Sequence, residues 1–243
     1  MAASHNPLIS ETTQLDKYGY NAIARHVSLV FFTCAPLFIA AGTLAWAWAW
    51  VYSIVTLLGW LGLSMVLARE NPELLNQRGK RTKAMTGTKS WDWLLLGVYG
   101  LLLLAAPIVA GLDYRSGWTG AVSPILNVTG NLVLIASFVL LTWSMAVNRH
   151  FEGTVRIQEN RDHHVVSSGP YRYVRHPGYV AVILQFIALP LALTTWAAWI
   201  PSLAGVLLFV VRTALEDATL QRELPGYHEF AQHTRYRLLP GVW

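Results

Sequence analysis

Charged residues are scarce in this chain. Asp, Glu, Lys and Arg make up 13% of its 243 residues, about half of the roughly 25% that is usual for soluble domains. Cysteine is almost missing, because Cys34 is the single one and cannot form an internal disulfide. These shortages exclude a disordered chain, a disulfide-stabilised secreted scaffold and a highly charged nucleic-acid binder. With 54% hydrophobic residues and a mean hydropathy of +0.39, the composition indicates a polytopic membrane protein.

Four long stretches contain no charged residue, namely 26–68, 93–112, 116–148 and 176–211. A helix needs about 20 apolar residues to cross a hydrocarbon core of roughly 30 Å. We therefore predict an all-α protein with about six transmembrane helices. The expected spans are residues 27–47, 51–68, 92–112, 126–147, 178–193 and 197–211. The first two are expected to meet in a turn at Trp46–Trp50, since Trp clusters suit the headgroup interface.

The last two spans are short, and we expect them to form a helical hairpin. Pro190 and Pro201 flank a turn signal at residues 194–196. Good helix formers continue beyond residue 211 until Pro225-Gly226. The second limb is therefore predicted to continue as a helix outside the membrane.

The basic residues are distributed unequally between the two sides that six spans define. Seventeen of the eighteen Lys and Arg residues fall on the side that holds both termini and the loops 69–91 and 148–176, and only Arg115 falls on the other. By the positive-inside rule, both termini are expected to be cytoplasmic. The net charge of +5 is then a signal of topology rather than of nucleic-acid binding.

Polar groups concentrate in two of the cytoplasmic segments, Asn148–Tyr179 and Arg212–Trp243. The predicted hairpin brings the start of its first limb next to the end of its second. Arg212 and Glu216 are spaced i,i+4, so we expect them to share a helix face and to pair, with Asp217 one residue further round. The topology thus predicts a pocket at the membrane surface, walled by aromatic residues and floored by one arginine and two carboxylates.

Less specific interpretations of these residues stay open. Arg172 and Arg175 can be interface anchors, and Arg212 with the two carboxylates can be a surface pair worth a few tenths of a kcal/mol. His163 and His164 are not expected to bind zinc, because adjacent histidines do not readily share one ion and no cluster with zinc spacing accompanies them. The sequence contains no catalytic-triad order, Walker loop or dinucleotide-binding glycine motif.

Two long motifs stand in these segments. The first is Ser168-Gly-Pro-Tyr-Arg-Tyr-Val-Arg-His-Pro-Gly-Tyr179. After the hairpin comes Arg212-x-x-x-Glu216-Asp217-x-x-Leu220, followed by a closing Arg235-Tyr-Arg-Leu-Leu-Pro-Gly-Val-Trp243. Together they resemble the isoprenylcysteine carboxyl methyltransferase family, to which phospholipid methyltransferases are related. The resemblance divides the chain into a catalytic region, residues 148–243, and an N-terminal transmembrane region, residues 1–147, whose four spans carry no assignable motif.

The resemblance implies methyl transfer from S-adenosylmethionine, without a metal, at the cytoplasmic membrane face, in a pocket closed by the C-terminal helices. The cofactor-binding residues that it implies are Gln158, His163, His164, Val165, Val166, Tyr171, His176, Pro177, Gly178, Tyr179 and Glu216. Among them, Glu216 resembles the carboxylate that binds the methionine ammonium group. The implied catalytic residues are Arg212, oriented toward the acceptor, and His176, which could take a proton from an amine or thiol acceptor.

Three classes of function remain open. A methyltransferase for a lipophilic or small acceptor is favoured; a carboxylate acceptor suits an adjacent arginine, and a phospholipid amine or a thiol is the other choice. An NAD(P)H-dependent membrane lipid reductase comes second, because a dinucleotide needs more basic residues than Arg172, Arg175 and Arg212. A scaffold or transporter gives no reason for polar residues to converge at one hairpin, and no intramembrane charge marks a transport path.

Overall fold

Eight α-helices make up the described part of the chain. The computed structural model describes residues 14–80, 87–120, 123–157 and 163–243. The helices are α1 (Lys17–Ala41), α2 (Ala47–Glu70), α3 (Pro72–Gly79), α4 (Ser90–Ser116), α5 (Pro124–Val147), α6 (Pro177–Leu193), α7 (Trp199–Glu223) and α8 (Tyr227–His233). A 3₁₀ turn covers Gly169–Arg172. None of the described residues forms a β-strand. The prediction of an all-α fold is confirmed.

Among the described helices, α1, α2, α4 and α5 are each long and apolar enough to cross a membrane. The predicted hairpin is formed by α6, a shorter apolar helix of 17 residues, and by the first half of α7. The two limbs meet in a turn at Thr194, which has a φ of 49°. As predicted, α7 continues past residue 211 and ends at Glu223, just before Pro225. The chain is thus a multi-pass membrane protein.

The first helix and the first turn differ from the prediction. α1 begins well before residue 27, because the Asp16 carboxylate caps it by accepting hydrogen bonds from two backbone N–H groups at 2.8 and 3.0 Å. It ends where Gly42 adopts a left-handed conformation, with a φ of 69°. The predicted turn at Trp46–Trp50 is wrong, since most of that stretch lies inside α2. The short helix α3 is not predicted by the hydropathy pattern.

Small residues let the transmembrane helices approach one another closely. α6 packs most extensively against α5, and a Cβ atom at Gly130 would overlap the backbone of Ala192. At the same level, Asn127 Nδ2 donates a hydrogen bond to the Ala192 carbonyl at 2.8 Å. Without a hydrophobic force between helices in lipid, such close packing and interhelical hydrogen bonds hold membrane helices together. α5 therefore fixes the position of the hairpin.

A buried carboxylate holds the hairpin turn at the end of α4. Asp113 accepts hydrogen bonds from the Thr119 backbone N–H at 2.9 Å, from the Thr119 hydroxyl at 2.6 Å and from the Ala197 N–H at 3.0 Å. The Thr119 hydroxyl oxygen in turn accepts from the Trp196 N–H at 2.7 Å. The turn of the hairpin is thereby fixed at one end of the bundle, and its open ends meet at the other.

Replacing Gly130 with Ala tests the α5–α6 contact. The added methyl group meets backbone atoms that cannot move without shifting a helix, and overpacking of this kind costs about 1–3 kcal/mol. We expect a lower melting temperature for the detergent-purified protein. The control is Gly97→Ala in α4, where nothing lies within 4 Å of the new Cβ and the better helix propensity of Ala should leave stability unchanged or raised. Equal melting temperatures for the two variants would contradict the close approach.

Candidate active site

One cavity lies at the open end of the hairpin. Its walls come from the first turn of α6, the charged half of α7, α8, the 3₁₀ turn and two extended segments of the preceding loop. The lining residues are Asn148, His150, Phe151, Glu152, Thr154, Val155, Arg156, His163, His164, Val165, Val166, Tyr171, Arg175, His176, Gly178, Tyr179, Glu216, Leu220, Leu224, Tyr227 and Phe230. Charged and aromatic side chains thus share one concave site beside the apolar bundle.

The structure brings most of the predicted site residues to this cavity. Those that line it are His163, His164, Val165, Val166, Tyr171, His176, Gly178, Tyr179 and Glu216. Pro177 is the buried first residue of α6 and is not among the lining residues. Arg212 is also outside the lining and lies behind Tyr179, with its guanidinium carbon 5.2 Å from the centre of that ring. Gln158 lies outside the described residues.

Glu216 presents a half-buried carboxylate to the cavity. The Tyr179 hydroxyl donates a hydrogen bond to Glu216 Oε2. Within the described part of the chain, Oε1 accepts no hydrogen bond, so this oxygen is available to a ligand. Tyr179 is itself positioned by His176, whose ring stacks on it with 5.6 Å between centroids and an interplanar angle of 8°.

The predicted ion pair between Arg212 and Glu216 is wrong. Arg212 binds Asp92 of α4 instead, through Nε to Oδ1 at 2.8 Å and Nη2 to Oδ2 at 3.2 Å. Its Nη2 also donates to the Gly153 carbonyl at 2.7 Å, and Asp92 Oδ2 accepts from the Val155 N–H at 2.7 Å. Both side chains are buried, so this pair ties α4, α7 and the cavity loop together.

Asp217 does not face the cavity, contrary to the prediction of two carboxylates on its floor. It is fully buried behind the cavity and accepts hydrogen bonds from Arg175 Nε at 2.7 Å and Nη2 at 3.0 Å. Arg175 is therefore a buried ion-pair partner rather than an interface anchor. Arg237 Nε donates at 2.9 Å and the Tyr227 hydroxyl at 3.0 Å, and His176 Nε2 lies 3.3 Å away.

The surroundings of this cluster set the protonation of its members. Burial alone would raise the pKa of Asp217, but hydrogen bonds from His176, Arg175 and Arg237 outweigh it and hold the pKa well below its usual range. Burial and the neighbouring Asp217 charge raise the pKa of Tyr227. Tyr227 is consequently a hydrogen-bond donor at neutral pH, and Asp217 is a stable anion.

Burial also raises the pKa of Tyr171 in the cavity wall. Its hydroxyl oxygen accepts a hydrogen bond from Asn148 Nδ2 at 2.9 Å. Asn148 Oδ1 in turn accepts from the His150 N–H at 2.9 Å. Tyr171 therefore stays neutral, and its ring is held in place as an apolar wall.

Several residues of the site were not predicted from the sequence. Asp92 directly precedes a charge-free run, and a carboxylate at the edge of a span is costly unless it is paired, so this signal could have found it. The His150 ring packs against those of His163 and His164, with centroids 4.7 and 4.8 Å apart. No spacing in the sequence indicates that contact. Phe151 was not predicted either, and its ring packs so closely on Gly178 that a Cβ there would overlap it.

Replacing Asp217 with Asn tests whether this carboxylate holds the site together. The substitution leaves the Arg175 guanidinium buried without its counter-charge, which typically costs about 3–5 kcal/mol. We expect a large fall in melting temperature. Glu223→Gln is the matched control, because its pair with Lys89 at 2.7 Å is partly exposed and such pairs are worth about 0–1 kcal/mol. A similar, small effect in both variants would contradict the account.

Comparison with known proteins finds a match that includes α6 and most of α7. Residues 129–222 match the model of the isoprenylcysteine carboxyl methyltransferase (ICMT) family. The chain is also similar to the "Uncharacterized protein YpbQ" of Bacillus subtilis (strain 168), with 23% identity over 161 residues, which are 65% of this chain and 88% of that protein. The family match includes the hairpin, Glu216 and the cavity residues that precede α6. It confirms the resemblance in the sequence motifs over these residues and, with the four apolar helices, supports an ICMT-like membrane methyltransferase.

Proposed function

We propose that this protein uses S-adenosylmethionine to methylate a lipophilic acceptor, and that a carboxylate is the accepting group. The observation that carries the proposal is the Glu216 carboxylate, which is half-buried in an aromatic-walled cavity at the open end of a membrane hairpin. The family match supports methyl transfer in general. The choice of cofactor and acceptor rests on the chemistry of the side chains.

The cavity offers partners for each part of the cofactor. Glu216 Oε1 can accept charge-assisted hydrogen bonds from the ammonium group. Tyr171, Tyr179 and Phe230 offer aromatic faces for the adenine or the sulfonium, which are attracted to π-systems. When bound, S-adenosylmethionine supplies an electrophilic methyl group. The chain's own contribution is to align the reactants and to exclude water, and orientation alone can be worth up to roughly 7–11 kcal/mol.

We assign Arg212 to the acceptor. Its Nε and Nη2 are held by Asp92 and Gly153, whereas Nη1 makes no hydrogen bond within the described part of the chain. The buried pair fixes the plane of the guanidinium, and a planar cation of fixed orientation suits a carboxylate. A carboxylate acceptor needs no general base. An amine or thiol would have to lose a proton, for which His176 and Glu216 are the groups in the cavity.

The proposed orientation places the cavity and both termini on the cytoplasmic side. The positive-inside rule supports this placement, because the loops at this end of the bundle carry the basic residues. The α6–α7 hairpin enters the bilayer directly beside the cavity, so an acceptor dissolved in the membrane can reach it laterally.

A reductase that binds NAD(P)H is the alternative. Its pyrophosphate would need unpaired cations in the cavity. Both arginines among its described lining residues are already neutralised, Arg175 by Asp217 and Arg156 by Glu152 at 2.7 and 2.9 Å. These pairs favour a cofactor whose recognised group is a cation.

Glu216→Gln tests the cofactor assignment. It keeps the size of the side chain but removes the charge that would bind the ammonium group, which should weaken S-adenosylhomocysteine binding by about 1.5–3 kcal/mol. Calorimetry on the detergent-purified protein measures the affinity, with Glu223→Gln as the control that removes a charge elsewhere on α7 without effect. Unchanged affinity in Glu216→Gln would overturn the assignment, and binding of NADPH instead would favour the reductase.

Arg212→Lys tests the acceptor assignment. Lysine keeps the charge but loses the planar guanidinium, in which the contact with Asp92 fixes the direction of the Nη1 donor proposed for the acceptor. We expect near-normal S-adenosylhomocysteine affinity with turnover at least about tenfold lower, a loss of roughly 1.4 kcal/mol or more in transition-state stabilisation.

Asp92→Asn separates an acceptor role of Arg212 from a purely structural one. This variant weakens the same ion pair but leaves the guanidinium in place. Turnover should therefore fall less than in Arg212→Lys when both are compared at a temperature where both proteins are folded. Equal losses would mean that Arg212 serves only to hold Asp92.

A further inference from the structure

A separate cavity of about 260 Å³ lies between the 3₁₀ turn and the C-terminal segment that follows α8. It shares no lining residue with the candidate active site. Two arginines, Arg172 and Arg235, line it together with His233 and the aromatic side chains of Tyr173 and Tyr236. No carboxylate is among its described lining residues, so its electrostatic character is cationic.

The two arginines differ from the arginines that surround Asp217. Arg172 and Arg235 are exposed, and neither guanidinium makes an ion pair or a hydrogen bond with a described residue. By contrast, Arg175 and Arg237 are both bound to Asp217. Within the described residues the charge of this cavity is therefore uncompensated, which favours an anionic ligand such as a phosphate.

Backbone hydrogen bonds place this cavity beside the start of the apolar helix α6. The Tyr236 and Arg237 carbonyls accept hydrogen bonds from the N–H groups of Arg175 and His176 at 2.9 and 3.0 Å. These two donors directly precede the apolar helix α6. A cavity beside the start of an apolar helix is expected at the depth of the lipid headgroups, where Tyr side chains are enriched.

Apolar side chains beside the cavity point outward. Leu239 is 55% exposed and Val242 is 77% exposed, and the Tyr173 ring next to the arginines is 64% exposed. The segment that carries Leu239 is held in shape by the main-chain oxygen of Trp243, which accepts hydrogen bonds from the backbone N–H groups of residues 237, 238 and 239 at 2.9–3.2 Å. A soluble anion would not explain an apolar rim of this kind, whereas a lipid with a charged headgroup and acyl chains would.

We propose that this cavity binds the phosphodiester headgroup of an anionic membrane phospholipid. Arg172 and Arg235 contact the phosphate, and the exposed Leu239 and Val242 lie against the acyl chains. The lipid is a ligand rather than a substrate, since the site is separate from the proposed methyl-transfer cavity. The bound lipid docks the segment that carries Arg237 onto the membrane. Arg237 in turn forms an ion pair with Asp217.

Native mass spectrometry of the full chain in detergent tests this site by titration with phosphatidylglycerol and, separately, with phosphatidylcholine. We expect retention of phosphatidylglycerol in preference to phosphatidylcholine. Each cation near an anionic lipid contributes about 1 kcal/mol, which is about fivefold in affinity. The double variant Arg172→Gln/Arg235→Gln should therefore bind phosphatidylglycerol about 30-fold more weakly.

The control is Arg69→Gln/Arg222→Gln, which removes the same charge from exposed arginines at the same end of the bundle and should keep the affinity. Neither the Arg172 nor the Arg235 guanidinium makes a hydrogen bond or an ion pair with a described residue, so melting temperatures without lipid should match. Each single variant should show about half of the effect on a logarithmic scale. Equal losses in the control, or no loss in the double variant, would overturn the site. Competition by inorganic phosphate as effective as by the lipid would overturn the assignment to a membrane lipid.

Discussion

The buried carboxylate of Asp217 connects the parts of the chain that build the candidate active site. It lies on α7 and binds Arg175 before α6, Tyr227 on α8 and Arg237 in the C-terminal segment. Placing a carboxylate out of water is costly, and the two guanidinium groups offset that cost by supplying charge and hydrogen bonds. Because the cluster is satisfied only when all of these segments are in place, it specifies one arrangement of the hairpin, α8 and the C-terminal segment.

A second buried pair completes this arrangement from the opposite side. Arg212 and Asp92 join α7 to α4 and hold the loop at Gly153 and Val155. The two pairs are arranged differently with respect to the cavity. Asp217 is turned away from it, whereas Glu216, the adjacent residue on the same helix, faces it with one oxygen available. Neighbouring carboxylates thus have separate tasks, one in the framework and one in the site.

Most of the fold was predictable because the sequence features that indicate it extend over many residues and agree with one another. Charge-free runs locate the spans, and the hairpin and the extension of α7 follow from proline positions and helix propensity. The ends of α1 were not predictable from hydropathy, because local capping by Asp16 and Gly42 sets them. The prediction of a turn at Trp46–Trp50 was wrong for a related reason. The preference of Trp for the membrane interface indicates the depth of a residue in the bilayer, but not whether its backbone is helical.

The sequence predicted which residues line the cavity better than it predicted which side chains form ion pairs. The motifs indicate which residues meet, and most of them line one cavity. An i,i+4 spacing makes Arg212 and Glu216 neighbours on α7. It cannot reveal that Asp92, far away in the sequence, is the partner of Arg212. Asp92 is the better partner because its bidentate contact is shielded from water. Likewise, the direction of Asp217 depends on the packing of α8 and Arg237, for which the sequence offers no local signal.

Transfer of label from S-adenosylmethionine labelled in its methyl group shows whether this protein methylates a lipid carboxylate. Membranes that contain the protein are incubated with the labelled cofactor, the lipids are extracted, and the extract is treated with alkali. Methylation of a carboxylate forms an ester, so we predict label in the lipid phase that alkali releases as volatile methanol. Label that resists alkali would indicate an amine or thiol acceptor and contradict the role given to Arg212, and no label in the lipid phase would contradict the proposed lipid methyltransferase as a whole.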